Sequence, residues 1–183
     1  QGSAVINNFV IGVDDGNVNT FDNQFTGNGG DGIDLTASFA LLVDEYSLID
    51  NQVTGNSQNG IRFTAAGHGQ ISTVLTNNRV EQNLDDGVLI TTVTVSAGDA
   101  ARVVSSAAWT GNSFSLNGNS AADAGIDIEG IHSLLIGVND GNPLTFSNTF
   151  VSNTGDGIEV DGINFLGGNL TITDANIALN NTS

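Results

Sequence analysis

The chain has no cysteine, no lysine and only one proline. Without cysteine, neither a disulfide framework nor a thiolate metal site can form. Proline interrupts hydrogen-bonded ladders, so its near absence (Pro143 alone) leaves the backbone free to pair along its length. Aromatics make up 6% of the residues while hydrophobic residues reach 39%, so a core has to be built from Val, Ile, Leu and a few Phe. No run of about 18 apolar residues occurs, so nothing reads as a membrane-spanning helix. Positive charge is the scarcest feature. Arg62, Arg79 and Arg102 stand against 20 Asp and Glu, for a formal net charge of -17. Phosphate is repelled by such a chain, which argues against nucleic acid, and anionic membrane surfaces are disfavoured for the same reason. The balance suits cation binding or salt-rich surroundings, where charge is screened; solubility is the plainest account. The chain opens on Gln1 with no leader visible, and reads as a mature or excised piece of something longer.

What is present is repetition. Residues 11–33, IGVDDGNVNTFDNQFTGNGGDGI, return at 136–158 as IGVNDGNPLTFSNTFVSNTGDGI, offset by 125 residues without a gap. A shorter repeat lies inside: an apolar residue, two spacers, then asparagine. It runs from Phe25 to Asn28, Val53 to Asn56, Val80 to Asn83, Phe114 to Asn117, Phe150 to Asn153 and Ile177 to Asn180. Asn23, Asn51, Asn78, Asn112 and Asn148 precede the apolar residue by two, with Ala175 in the last unit. A glycine follows the first five units, at Gly32, Gly60, Gly87, Gly125 and Gly157, preceded by Asp31, Asn59, Asp86, Ala124 or Asp156. These are turn dipeptides, and the glycine is expected to supply backbone angles that other residues avoid. The strand after each glycine alternates: GIDL, GIRF, GVLI, GIDI and GIEV put one apolar face opposite Asp34, Arg62, Leu89, Asp127 and Glu159. A third extended run separates the units, as in 39–49, 70–75 and 169–173. No segment holds a helical period for more than about two turns.

One architecture satisfies this pattern. Each period of 27 to 36 residues is one coil of a right-handed parallel β-helix, three short strands around a narrow aliphatic core. Six to seven coils stack at the strand spacing of about 4.8 Å, giving a single domain roughly 30 Å long. Stacking explains the asparagines. An amide both donates and accepts, so Asn28, Asn56, Asn83, Asn117, Asn153 and Asn180 are expected to form an internal ladder satisfying the turn above and below. The 125-residue unit is then about four coils, duplicated, with the second copy (from about residue 126) incomplete. Insertions are expected around 96–108 and in two Asp-Gly hairpins at 13–18 and 138–143.

The repeated N-x-(F/V/I)-x-x-N-x-x-x-G-I pattern, from about Phe9 to Ser183, resembles the parallel β-helix repeats of the pectate-lyase-like superfamily. That resemblance implies the fold and leaves the function open among polysaccharide lyases and hydrolases, phage tailspikes and surface adhesins. Lyases of that group use a basic residue as base and hold calcium with acidic groups. Here Arg62 projects between Asp34 and Leu89 and reads as the partner of a neighbouring carboxylate; Arg79 and Arg102 have no acidic constellation. Sugar platforms need exposed aromatics, for which Trp109 and Tyr46 are the candidates. Glycoside hydrolysis would need two opposed carboxylates.

Calcium is the one ion the acidic turns fit, through Asp14, Asp15, Asn17, Asp31, Asp86, Asp140, Asn142 and Asp156, because hard cations take several oxygen ligands. No glycine-aspartate nonapeptide or EF-hand spacing supports it, and solvated turn carboxylates are the simpler account. No other cofactor is called for. His68 and His132 read as surface-loop residues. The TTVTV run (91–95) lacks counterparts on other coils, which discounts an ice-binding face. The sequons at Asn169, Asn180 and Asn181 are few in so Asn-rich a chain. The expected function is therefore structural and non-enzymatic: an extracellular or cell-surface fibre or adhesin element whose coil ends meet other copies of itself. Carbohydrate binding or cleavage is the second expectation, with polysaccharide as the partner, and a calcium-stabilised adhesin module the third.

Overall fold

The computed structural model describes residues 9–15, 20–38, 43–93, 101–130, 132–142, 146–161, 169–178 and 180. They contain strands and no helix, arranged coil by coil. The first coil is β1 (Phe9–Ile11), β2 (Asn23–Thr26) and β3 (Ile33–Ser38); the second is β4 (Val43–Ile49), β5 (Asn51–Thr54) and β6 (Ile61–Ala66). The third is β7 (Gln70–Thr76), β8 (Arg79–Glu81) and β9 (Val88–Val93), and the fourth β10 (Arg102–Ser105), β11 (Asn112–Ser115) and β12 (Ile126–Glu129). The fifth is β13 (His132–Ile136), β14 (Asn148–Val151) and β15 (Ile158–Val160); β16 (Asn169–Ile172) and β17 (Ala175–Ala178) begin a sixth. Each strand pairs, always in parallel, with its counterpart one coil away. This gives a first sheet β1-β4-β7-β10-β13-β16, a second β2-β5-β8-β11-β14-β17 and a third β3-β6-β9-β12-β15. Every return between coils is a parallel crossover, and the fold is a right-handed parallel β-helix. Five inter-coil steps at about 4.8 Å make the described solenoid about 24 Å long.

Register converts the sequence period into continuous internal columns. The third sheet stacks Ile33, Ile61, Val88, Ile126 and Ile158 in one column and Leu35, Phe63, Ile90, Ile128 and Val160 in the next. The second sheet stacks Phe25, Val53, Val80, Phe114, Phe150 and Ile177; Phe114 and Phe150 lie with ring centroids 5.1 Å apart. Middle rungs of these columns are fully buried, whereas Ile177 at the last coil is 53% exposed. Backbone pairing and burial thus reinforce one another everywhere except the ends, where a coil has only one neighbour.

The first sheet corrects one expectation. Of the stretch 96–108, residues 96–100 lie outside the described residues, and the rest is not a simple excursion, because Arg102–Ser105 is strand β10, a regular member of the sheet. Ser105 lies opposite Thr73 and Thr110 opposite Thr76, so five steps on one strand match three on the other. The chain bulges by two residues and then re-enters with Trp109. Trp109 fills the slot in the column Ile11, Leu48, Leu75, Trp109, Ile136, Ile172. It is fully buried, with its indole N–H donating to Thr73 Oγ1 at 3.3 Å, and Tyr46 is also a core residue. Neither aromatic is a sugar platform. His132 likewise begins a strand rather than a loop, while His68 is exposed in the turn between β6 and β7.

The second correction concerns glycine. None of Gly32, Gly60, Gly87, Gly125 and Gly157 has a positive φ. They are glycine because there is no room for a Cβ. One added at Gly87 would lie 2.5 Å from Gly125 O and 2.7 Å from the Asn117 amide nitrogen, and the other four meet the same kind of obstacle. Left-handed backbone occurs instead one residue before Asn28, Asn56, Asn83, Asn117 and Asn153, at Gly27, Gly55, Gln82, Leu116 and Ser152, with φ of 56 to 66°.

Candidate functional site: amide ladders and two acidic fields

The predicted ladder is present. Asn56 donates its backbone N–H (3.2 Å) and its side-chain amide (2.8 Å) to Asn83 Oδ1, and its amide also reaches back to Phe25 O at 3.2 Å. The same set recurs at Asn83, Asn117 and Asn153, and the column runs from Asn28 to Asn180. At Asn56, Asn83, Asn117 and Asn153 each carboxamide thereby uses its oxygen and both hydrogens inside a buried turn, whereas Asn28 at the first coil is exposed and Asn180 at the last half-buried.

A second column was visible in the sequence as a recurrence but was not read as a ladder. Asn23, Asn51, Asn78, Asn112 and Asn148 form an equivalent file at the first corner. Their amides cap the carbonyls of Ile11, Leu48, Leu75 and Trp109, the core column of the first sheet. The file ends where Ala175 stands opposite Asn148. The N-x-apolar-x-x-N spacing was the available signal: two asparagines five residues apart flank one short strand, so both of its corners carry an amide.

The turn acids do something different. Asn59 donates its backbone N–H and side-chain amide to Asp31 Oδ1 (3.1 and 3.0 Å), Asp86 N–H donates to Asn59 Oδ1 (3.2 Å), and Ala124 N–H to Asp86 Oδ1 (2.6 Å). Asp31 also pairs with Arg62 at 3.0 Å, and Arg62 meets Asp34 at 2.5 Å, which raises the guanidinium pKa. Arg62 is therefore the carboxylate partner that the sequence pattern predicts. Asp31, Asp86 and Asp156 sit on alternate coils, about 9.6 Å apart at the strand spacing, too far to share one ion. Asp140 and Asn142 lie in an exposed loop where Asn139 Oδ1 accepts from Gly141 N–H and Asp140 Oδ1 from Asn142 N–H. That loop, expected as a hairpin, has no antiparallel pairing among its described residues. Asn17 lies outside the described residues. Among the described residues no three His, Cys, Asp or Glu side chains form a ready-made metal cage.

Stacking gathers the acids into two fields. On the outer face of the third sheet, one column reads Asp34, Arg62, Leu89, Asp127, Glu159 and the next Thr36, Thr64, Thr91, with Glu129 following. The three stacked threonines are a short in-register file of the kind the sequence was read as lacking. In the fourth and fifth coils the outward positions become acidic, Asp127 and Glu129 beside Glu159 and Asp161. Like charges directly opposite one another are destabilising. Asp127 is 9% exposed, and its Oδ1 has no hydrogen-bond partner. Burial pushes its carboxyl up to about 7, with Asp86, Glu129, Glu159 and Asp161 pushing the same way. Asp86 is also pushed up to about 7 by burial, partly opposed by the Ala124 N–H. The GIDIEG and GIEVDG segments carry an acid at every outward position, which was the overlooked signal.

The second field lies at the first corner of the first and second coils, where Asp14, Asp15 and Asp22 approach Asp50. Asp50 is 1% exposed, its Oδ1 is also unpartnered, and its carboxyl is raised by burial and then by Asp15, Asp22 and Asp14.

No protein-family model matches the chain, and neither a curated protein nor a solved structure matches it.

Proposed function

We propose that this chain is a structural element of an extracellular or cell-surface fibre, a stiff rod of the pectate-lyase-like, adhesin type that extends by coil-on-coil stacking. The observation that carries this reading is the continuity of register. Two amide files and three parallel sheets pass through the coils in step, so every rung is a template for another. The terminal strands bear exposed apolar side chains on that template, Phe9 and Val10 on the first coil and Ile172 and Ile177 on the last. Another copy stacking end to end covers them while continuing the ladders. Sedimentation velocity and negative-stain microscopy over a hundredfold range of concentration test the assembly. Rods that lengthen with concentration support it, and a uniform particle at every concentration contradicts it.

A second reading is favoured by the acidic face of the third sheet, where Asp127 lies directly opposite Glu159 on the next coil and burial raises its carboxyl to about 7. Two neighbouring carboxyl groups, one of them with a raised pKa, are the arrangement that cleaves glycosidic bonds. Release of reducing ends from neutral and acidic polysaccharides, lost in Asp127→Asn and Glu159→Gln, supports it. Absence of both release and gel retardation by those glycans removes it.

A further inference from the structure

The chain contains three Asn-Gly pairs, Asn28–Gly29, Asn59–Gly60 and Asn117–Gly118. In such a pair the glycine nitrogen can approach the asparagine carboxamide carbon, because the second residue brings no Cβ to obstruct it. The fold places the three pairs in different surroundings.

Two of them are locked in the wall. Asn117 is fully buried. Its side-chain amide donates to Val80 O at 3.0 Å and to Asn153 Oδ1 at 3.2 Å, and its Oδ1 accepts from the Asn83 backbone N–H and amide. The nitrogen beside it is engaged too, since Gly118 N–H donates to Asn83 O at 2.9 Å. Asn59 donates its amide to Asp31 Oδ1 and accepts from Asp86 N–H, while Gly60 N–H donates to Asp86 O at 2.9 Å. Neither glycine nitrogen can turn onto its neighbour's side chain unless the turn first opens.

Asn28–Gly29 differs because of its place in the stack. In the next four coils the residue after the ladder asparagine donates its N–H to the ladder carbonyl of the coil before. Ser57 donates to Asn28 O, Leu84 to Asn56 O, Gly118 to Asn83 O and Thr154 to Asn117 O, at 2.9 to 3.0 Å. Gly29 stands on the first coil, where no described coil precedes it to receive that bond. Asn28 Oδ1 likewise has no preceding rung to donate to it, and the side chain is held from one side only, by its amide donating to Asn56 Oδ1 at 2.8 Å. Both residues are exposed, and a Cβ added at Gly29 would meet nothing within 4 Å.

We propose that Asn28 is a site of spontaneous covalent modification, deamidation through a succinimide formed with Gly29, and that the ladder shields the other two pairs from it. Gly29 N gives up its proton and bonds to Asn28 Cγ, and the Cγ–Nδ2 bond breaks with loss of ammonia. Water then opens the ring at either carbonyl, leaving aspartate or isoaspartate at position 28. Either product has lost the amide donor and sets a carboxylate against Asn56 Oδ1, acceptor against acceptor. The amide file then loses its first rung. The reaction needs only the described coils, so it stands apart from the fibre reading. A coil laid over the first one supplies the missing acceptor and donors, so the modification marks a first coil that nothing covers.

Peptide mapping by mass spectrometry, with isoaspartate detected by enzymatic methylation, provides the test. The full chain is held at pH 8, at a concentration where sedimentation shows monomers. Conversion at Asn28 should run more than about tenfold faster than at Asn59 or Asn117, since those two require local opening. In denaturant the three rates should converge, because the wall is gone. Gly29→Ala, which fits the open space, should slow conversion at Asn28 by about tenfold and leave Tm unchanged, its Cβ obstructing the attack. Equal persistence of Asn28, Asn59 and Asn117 in the folded monomer overturns the assignment, as does conversion at Asn28 that Gly29→Ala fails to slow.

Discussion

Two files of side chains flank the same glycine turn and connect the same coils, yet only one of them repeats a single residue. The file Asn28 to Asn180 is all amide. The neighbouring file reads Asp31, Asn59, Asp86, Ala124, Asp156, with a charge on every other coil. The bonds also run in opposite directions. In the amide file the backbone N–H of one coil donates forward to the next side chain; in the acidic file it donates backward to the preceding one. An amide can stack on itself because it both gives and receives. A carboxylate only receives, and two of them about 4.8 Å apart repel. Alternation with a neutral residue keeps like charges off adjacent coils at the turn, whereas in the third sheet Asp127 lies directly opposite Glu159; burial first, and then the neighbouring carboxylates, push the Asp127 carboxyl up to about 7.

The sharpest way to separate the files is to remove one member of each. Asn117→Ala deprives Asn83 N–H, the Asn83 amide and Val80 O of their partners in a dry wall. At about 1–3 kcal/mol for each orphaned group, with partial relaxation, a loss of about 4 kcal/mol is expected by denaturant unfolding. Asn59→Asp comes next, because it places three carboxylates in succession and removes the amide donor to Asp31. It should cost about 2–3 kcal/mol at pH 7, mostly regained at pH 4, where carboxyls are protonated.

Burial of two carboxyl groups also sets a pH dependence. Asp86 and Asp127 carry folded-state pKa values of about 7 against an ordinary 3.8. Between those limits the native state holds protons that the unfolded chain has released, so stability should fall as pH rises from about 4 to 7 and level off above. Denaturant midpoints at pH 5 and pH 8 check this, and the double variant Asp86→Asn, Asp127→Asn should flatten the slope. The smallest expected effect extends the amide pattern. Ala175→Asn offers an acceptor to Asn148 in the file that now stops there, and should stabilise by about 1 kcal/mol.

The coils were legible because their signals are local and periodic. The apolar alternation of GIDL, GIRF and GVLI, and the asparagine spacing, survive insertion because each insertion falls between strands. Trp109 was misjudged as exposed because the bulge before it hides its register; only pairing with Ile136 shows that it belongs to the core column. The turn glycines were assigned the wrong cause, since the sequence displays a turn dipeptide and not the amide of the following coil that needs the space. Asp50 and Asp22 are 28 residues apart in the chain and meet only through stacking, so no linear motif announced them.

The account stands or falls on the asparagine side chains being structural members shielded from water. Hydrogen–deuterium exchange followed by NMR on the side-chain amides of Asn56, Asn83, Asn78 and Asn112 tests this most directly. The expected result is protection comparable to the backbone amides of β6 and β9 in the core. Exchange of those carboxamides at the rate of a free asparagine would contradict it.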